Sequence, residues 1–215
     1  MQDSVVEIGI VAENGACFAT VVQPPCIPGE PECSNSVHGI PAVELQAGPG
    51  FATTFERVVA FLEHLQVSTV AFDSDSDAEP QEVKAYSDPP PRLLLVAHNG
   101  MKFDFPMLVS EVFRSGVDFK PLQRWLFVDT LDVFKADATP CVKLQCLYRE
   151  LAADRNLRAH RALDDAIALL RVAVTQAERY GIGLQELFAP FIVGCNVEDT
   201  MIQEKSLRLA RNVGD

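Results

Sequence analysis

Residues Leu93 to Leu108 read LLLVAHNGMKFDFPML, and the rest of the chain makes sense around them. Leu93, Leu94, Leu95 and Val96 form a short apolar run between Pro91 and the Asn99-Gly100 turn. Both side-chain directions are apolar, which predicts a strand covered on both faces. Past the turn come Phe103, Phe105, Pro106, Met107 and Leu108, with one carboxylate, Asp104, set among them. A carboxylate buried among aromatics costs several kcal/mol unless a cation or donors compensate it. Two roles fit Asp104 on local grounds. It precedes Pro106, a residue favoured at helix starts, so it can cap a helix. It can also be a metal ligand at a strand-to-helix junction, and the residues sixty positions downstream favour that role.

Outward from this stretch, the N-terminal side begins with Val5, Val6, Ile8, Ile10 and Val11, a strand. Glu13-Asn14-Gly15 reads as a hairpin turn, and Cys17 to Val22 as the return strand. Residues from Pro24 to Ser36 form a Pro- and Ser-rich loop, and a first helix is expected to start after Ser36. Phe51, Phe55, Val58, Val59, Phe61, Leu62 and Leu65 recur at helical spacing and predict an amphipathic core helix. Ser74 to Pro91 is acidic, Pro-rich and nearly free of large apolar residues. It reads as a disordered surface insertion at 74–91.

On the C-terminal side, Phe127 to Leu131 predicts a strand, and Lys143 to Leu151 a helix with Leu144, Leu147 and Leu151 on one face. His160 then stands in a loop before a strongly amphipathic helix through Ala166, Leu169, Leu170 and Ala173. The phase of that helix sets Asp165 in register with Leu169 and Ala173, towards the sheet, and Asp164 more outward. An imidazole titrating near neutrality suits a general base, and a nearby carboxylate suits a cation. Strands and helices alternating after a hairpin indicate an α/β fold, a mixed sheet flanked by helices. The expected organisation is one domain over 1–180 and a C-terminal tail over 181–215, with a short helix at Leu184 to Phe188.

The chain has 215 residues, a net charge of −12 and six cysteines without a CxxC pair. The cysteines read as reduced thiols of an intracellular protein, in cytoplasm or nucleus. No apolar run approaches the ~20 residues of a membrane span, and no signal-peptide pattern opens the sequence. The acidic balance argues against a broad non-specific nucleic-acid surface. It leaves room for a site that grips one nucleic-acid end through metal ions.

AHNGMKFDFPML resembles the second motif of the DEDD-type 3′→5′ exonucleases, above all the three-prime repair exonucleases, and HRALDDAIALL resembles the third motif of their His-containing subgroup. SVHGI before an amphipathic helix and VDTL before a KLxxL helix fall in the same order. The resemblance spans Val5 to about Tyr180. It implies an RNase H-like fold and two Mg²⁺ or Mn²⁺ ions about 3.5–4 Å apart. It further implies Asp104 and Asp165 as metal ligands, His160 as general base, and Asn99 and Ile40 as substrate-binding residues. The implied activity is hydrolysis of nucleic acid, DNA rather than RNA, from a single-stranded or 3′-tailed end, as in DNA repair.

One departure stands against this. The family's first motif, Asp-x-Glu on a strand ahead of the segment that VVEIGIV resembles, is not among these residues; Asp3 and Glu7 are four apart. The expectation is therefore a truncated or degenerate copy lacking the first strand, prone to self-association at the exposed sheet edge. The alternative is a non-catalytic RNase H-like module that binds nucleic acid or protein.

Overall fold

The computed structural model describes residues 4–25, 39–70, 93–137, 140–151 and 161–194. The insertion expected at 74–91, His160, the expected helix start at 37–38 and the end of the chain from 195 lie outside the described residues.

Strands β1 (Glu7–Val11) and β2 (Cys17–Val21) form the antiparallel hairpin that the turn residues predict, pairing Glu7 with Val21 and Val11 with Cys17. Helix α1 (Ala42–Ala47) starts after Pro41, which fits the extended cap position. Helix α2 (Phe51–Val70) is the predicted amphipathic helix. Strand β3 (Leu93–Ala97) leads through the Asn99-Gly100 turn into α3 (Asp104–Arg114). A 3-10 turn at Lys120–Arg124 then delivers β4 (Trp125–Asp129), two residues earlier than the strand expected at Phe127–Leu131; Thr130 and Leu131 belong instead to α4 (Thr130–Ala136), which Asp129 caps. Helices α5 (Leu144–Leu151), α6 (Ala162–Tyr180) and α7 (Leu184–Phe188) follow, and β5 (Val193–Gly194) ends the described chain.

The β-structure has mixed direction: β3 is parallel to β4, and β5 is antiparallel to β4. Hydrogen bonding divides it into the β1–β2 hairpin and a three-stranded sheet ordered β3-β4-β5. The central strand of the second sheet is β4, not β3. All five β3 residues keep partial exposure, whereas Trp125, Phe127, Val128 and Asp129 of β4 are buried. The reason is position: among the described residues β3 has a ladder partner on one side only.

Alternation along these strands sorts the core. Leu93, Leu95, Trp125 and Phe127 face the layer built from Phe55, Val58 and Leu62 of α2 and Val109 and Val112 of α3. Leu94, Val96 and Val128 face the opposite layer, with Ala173 and Ala177 of α6 and Leu187 and Phe188 of α7. The two strands are thus covered on both faces, as their continuous apolar runs require. Residues after Gly181 add to this core through α7, and β5 pairs with Leu126 and Phe127. Gly181 takes the left-handed conformation (φ 66°) that ends α6.

Cys141 and Cys146 correct the reading of the cysteines as free thiols: the structure joins them in a disulfide, with Cα atoms 6.0 Å apart. The turn entering α5 brings residues five apart within the usual bridging range. Among the described residues Cys17 is a free, exposed thiol.

Candidate active site

Where β3 and β4 end and α3 and α6 begin, Asp129 and Asp165 lie near enough for their charges to act on Asp104. Asp104 is the first residue of α3, one position past the cap, which Phe103 holds. The capping role is thereby set aside. Asp104 is also more accessible than the aromatic setting suggests, because its neighbours Lys102 and Phe103 are exposed rather than folded over it. The Lys102 ammonium lies 5.3 Å from the centre of the Phe103 ring, on the lip of the site.

The Asp104 carboxyl is pushed above the ordinary carboxylate range. Protein crowding around it is the first cause, and the charges of Asp129 and Asp165 add to it, against its own backbone N–H, which favours the charged form. Accessible area and crowding differ here. Asp104 sits on an open rim whose walls still strip much of its water, and the exposed area is what decides that an ion can reach it. Among the described residues no cation pairs with it.

Asp129 ends β4 and is buried, which the sequence reading missed as a site feature. Both oxygens of its carboxylate are engaged. Oδ1 accepts from the N–H groups of Asn99 (2.7 Å) and Leu131 (2.9 Å), and Oδ2 accepts from the N–H of Met101 (3.1 Å). It caps α4 and clamps the turn that aims Asp104. With three donors on it, Asp129 is a scaffold rather than a metal ligand. Asn99 takes a left-handed conformation (φ 61°), tolerated by Asn more readily than by most residues. Gly100 is required beside it, since a Cβ there would come within 2.6 Å of the Ala97 Cβ and 2.8 Å of the Phe105 ring.

His98 stands behind the turn with Nδ1 2.9 Å from Thr130 Oγ1. Burial pushes its pKa down, and a hydrogen bond with the Val142 backbone and the charge of Asp129 pull only partly the other way.

On α6, Asp164 and Asp165 are both half-buried, and Ala168 and Val172 below Asp164 are as buried as Leu169 and Ala173 below Asp165. Helix phase alone does not separate the two. Their electrostatic neighbours do: the charge of Asp165 acts on Asp104, and that of Asp164 on Arg161. Ile40 is 0 % exposed, so contact between its side chain and a ligand would require the segment around it to move.

The pair Asp104 and Asp165 supplies the hard oxygen donors that Mg²⁺ or Mn²⁺ prefers. Among the described residues no group of three or more His, Cys, Asp or Glu side chains is placed to hold a metal ion. The fit is to a site with two carboxylates in hand.

Comparisons with known proteins point the same way. No family model matches the chain. Over 97 residues it is 34% identical to "Exonuclease DPD1, chloroplastic/mitochondrial" of Arabidopsis thaliana, a match covering 42% of this chain and 30% of that protein. The chain thus spans less than a third of the curated relative's length. Among solved structures, the nuclease domain of 3'hExo, described as a DEDDh family member bound to rAMP, superposes with a TM-score of 0.54. That match covers 84% of this chain and 96% of the other at 13% identity. A 3'-exonuclease recognising a histone mRNA stem-loop gives a TM-score of 0.52, with 84% of each chain covered and 12% identity. The chain therefore has the RNase H-like fold of the DEDD-type 3′-exonucleases, the family its two motifs resemble.

Proposed function

We propose that this chain carries part of a two-metal 3′→5′ exonuclease site that acts on nucleic acid, DNA rather than RNA, from a single-stranded or 3′-tailed end. The observation that carries the reading is the meeting of Asp104 and Asp165, 61 positions apart, at one end of the sheet, close enough for the charge of one to raise the pKa of the other. Like charges drawn together oppose each other's ionisation, an arrangement that a divalent ion bound between them would relieve. Such ions, when bound, would activate a water and stabilise the leaving oxygen. Asp104 and Asp165 would hold them, and His160 would take the proton of the attacking water. Asn99 and the exposed Lys102–Phe103 pair stand at the rim, where a strand end would lie. The preference for DNA rests on the resemblance to the three-prime repair exonucleases.

Two carboxylates hold such an ion weakly, and the Asp-x-Glu pair that the resemblance calls for is not among these residues. The 215-residue chain on its own should therefore degrade a 5′-labelled, 3′-tailed oligonucleotide slowly or not at all with Mg²⁺ or Mn²⁺. Fusing a strand with Asp-x-Glu ahead of Val5 should produce shortening from the 3′ end, lost again in Asp104→Asn or Asp165→Asn. DNA and RNA substrates run side by side decide the preference. If the fused protein binds the oligonucleotide and never shortens it, the non-catalytic binding module is the better reading. The edges of β1 and β3 without a ladder partner among the described residues make self-association part of the same proposal, read by sedimentation.

A further inference from the structure

In the sequence Glu7 stands four residues from Asp3, a spacing that does not make an Asp-x-Glu pair. The structure gives both its oxygens work at the start of α6. Oε2 accepts from the N–H of Ala162 at 2.9 Å, and Oε1 accepts from Arg161 Nε at 2.9 Å. The terminal Nη2 of Arg161 also lies 2.8 Å from Oε1, and the Glu7 side chain is 9% exposed. Ala162 is the first residue of α6, and the preceding Arg161 makes no side-chain cap of its own. Its N–H is one of the donors that a helix start leaves unpaired. A carboxylate from a strand 155 residues away satisfies it, and places negative charge at the positive end of the helix.

Two further contacts fix where that helix start can lie. Gly9, two residues along β1, faces the backbone of Ala162 and Leu163 so closely that a Cβ would overlap both. Arg161 also pairs with Glu44 of α1 at 3.4 Å. The first turn of α6 is thus tied to β1 and α1, and Asp165, whose N–H donates to the Arg161 carbonyl at 3.0 Å, rides on that turn.

Position beside His160 would suggest that Arg161 grips a substrate phosphate. Its surroundings argue otherwise. Glu7, Glu44 and Asp164 all act on its guanidinium and push its pKa further up. A cation so neutralised has little attraction left for another anion.

We infer that Glu7 and Arg161 are positioning residues of the candidate site, holding the first turn of α6 so that Asp165 faces Asp104. This rests on reading Asp104 and Asp165 as metal ligands. Residues that orient a ligand typically alter metal affinity about 10–100-fold when changed. The Gln carboxamide at position 7 keeps the shape of Glu but offers one acceptor where two are used.

The test is Mn²⁺ binding by the full chain, followed by the electron paramagnetic resonance of free Mn²⁺, with amide hydrogen exchange of residues 162–165 in the metal-free protein. Glu7→Gln should weaken binding about 10-fold or more, and should have no further effect in an Asp165→Asn background. Exchange at 162–165 should quicken more than in the core of α6. Equal Mn²⁺ affinity in Glu7→Gln and wild type would overturn the proposal, as would the same loss with and without Asp165. If Asp104→Asn binds Mn²⁺ as the wild type does, the metal reading fails by itself. Exchange then decides the positioning role, and unchanged rates at 162–165 reject it. Should Glu7→Gln not fold, Arg161→Lys, at a half-exposed position, loses the paired donors in the same way and is held to the same outcomes.

Discussion

The carboxylate of Asp129 accepts a 2.7 Å hydrogen bond from the backbone N–H of Asn99, thirty residues earlier, and so binds the end of β4 to the turn after β3. Met101 and Leu131 add their N–H groups to the same side chain. Asp129→Ala would strip an acceptor from three partly buried donors. The expected loss is about 2–4 kcal/mol, the scale of unsatisfied buried donors together with a lost helix cap. Urea denaturation measures it. A loss below about 0.5 kcal/mol, within ordinary surface-substitution effects, would show that the turn holds without the clamp.

Gly9→Ala should destabilise the protein although the change adds one methyl group. The new Cβ would overlap the backbone of Ala162 and Leu163, which cannot rotate aside as a side chain can. Overpacking of this kind costs about 1–3 kcal/mol, and calorimetric melting reads it. An unchanged melting temperature would mean that α6 can move off β1 at little cost.

His98 predicts a pH dependence of stability. Its folded pKa lies below its unfolded value of 6.5, because burial disfavours the charged ring. As pH falls through 6.5, the unfolded chain takes up a proton that the folded protein resists. The unfolded state then binds more protons, so stability falls with falling pH until the folded pKa is passed. Melting temperatures between pH 8 and pH 5 should show this decline, and His98→Asn should flatten part of it. An identical decline in the variant would assign it to other groups.

Asp104→Asn should separate stability from function. The folded pKa of Asp104 is raised above its unfolded value of 3.8, so the folded state holds the proton more tightly and loses stability as pH rises from that value through the raised one. With chelator present at pH 7, Asn at 104 should therefore melt higher than Asp, and the difference should shrink towards pH 3.5. A lower melting temperature at neutral pH would show that Asp104 makes a stabilising contact as an anion.

His160→Ala, made in the protein fused to an Asp-x-Glu strand, should lower turnover about 10²–10⁴-fold, the usual contribution of a positioned acid–base group. Melting should be little changed. An unaffected rate in single-turnover assays would remove His160 as the base.

The sequence by itself determined most of the elements, though not α4, whose first residues Thr130 and Leu131 it read as strand, nor β5. The apolar runs of β1, β3 and β4, the Asn14-Gly15 turn and the spacing from Phe51 to Leu65 are local signals, because period two and period 3.6 follow from backbone geometry alone. It also determined that Asp104 begins a helix after a strand. What only the tertiary structure decided is what meets what. The pairing of Glu7 with Ala162, the clamp of Asp129 on Asn99 and the closure of α6 onto Gly9 join residues that are 155, 30 and at least 153 positions apart along the chain. Asp164 and Asp165 are adjacent in sequence with equally buried columns beneath them, and only their partners across the fold separate them. No local period records a contact at that range, since it is packing around the sheet that brings a strand carboxylate to a helix start.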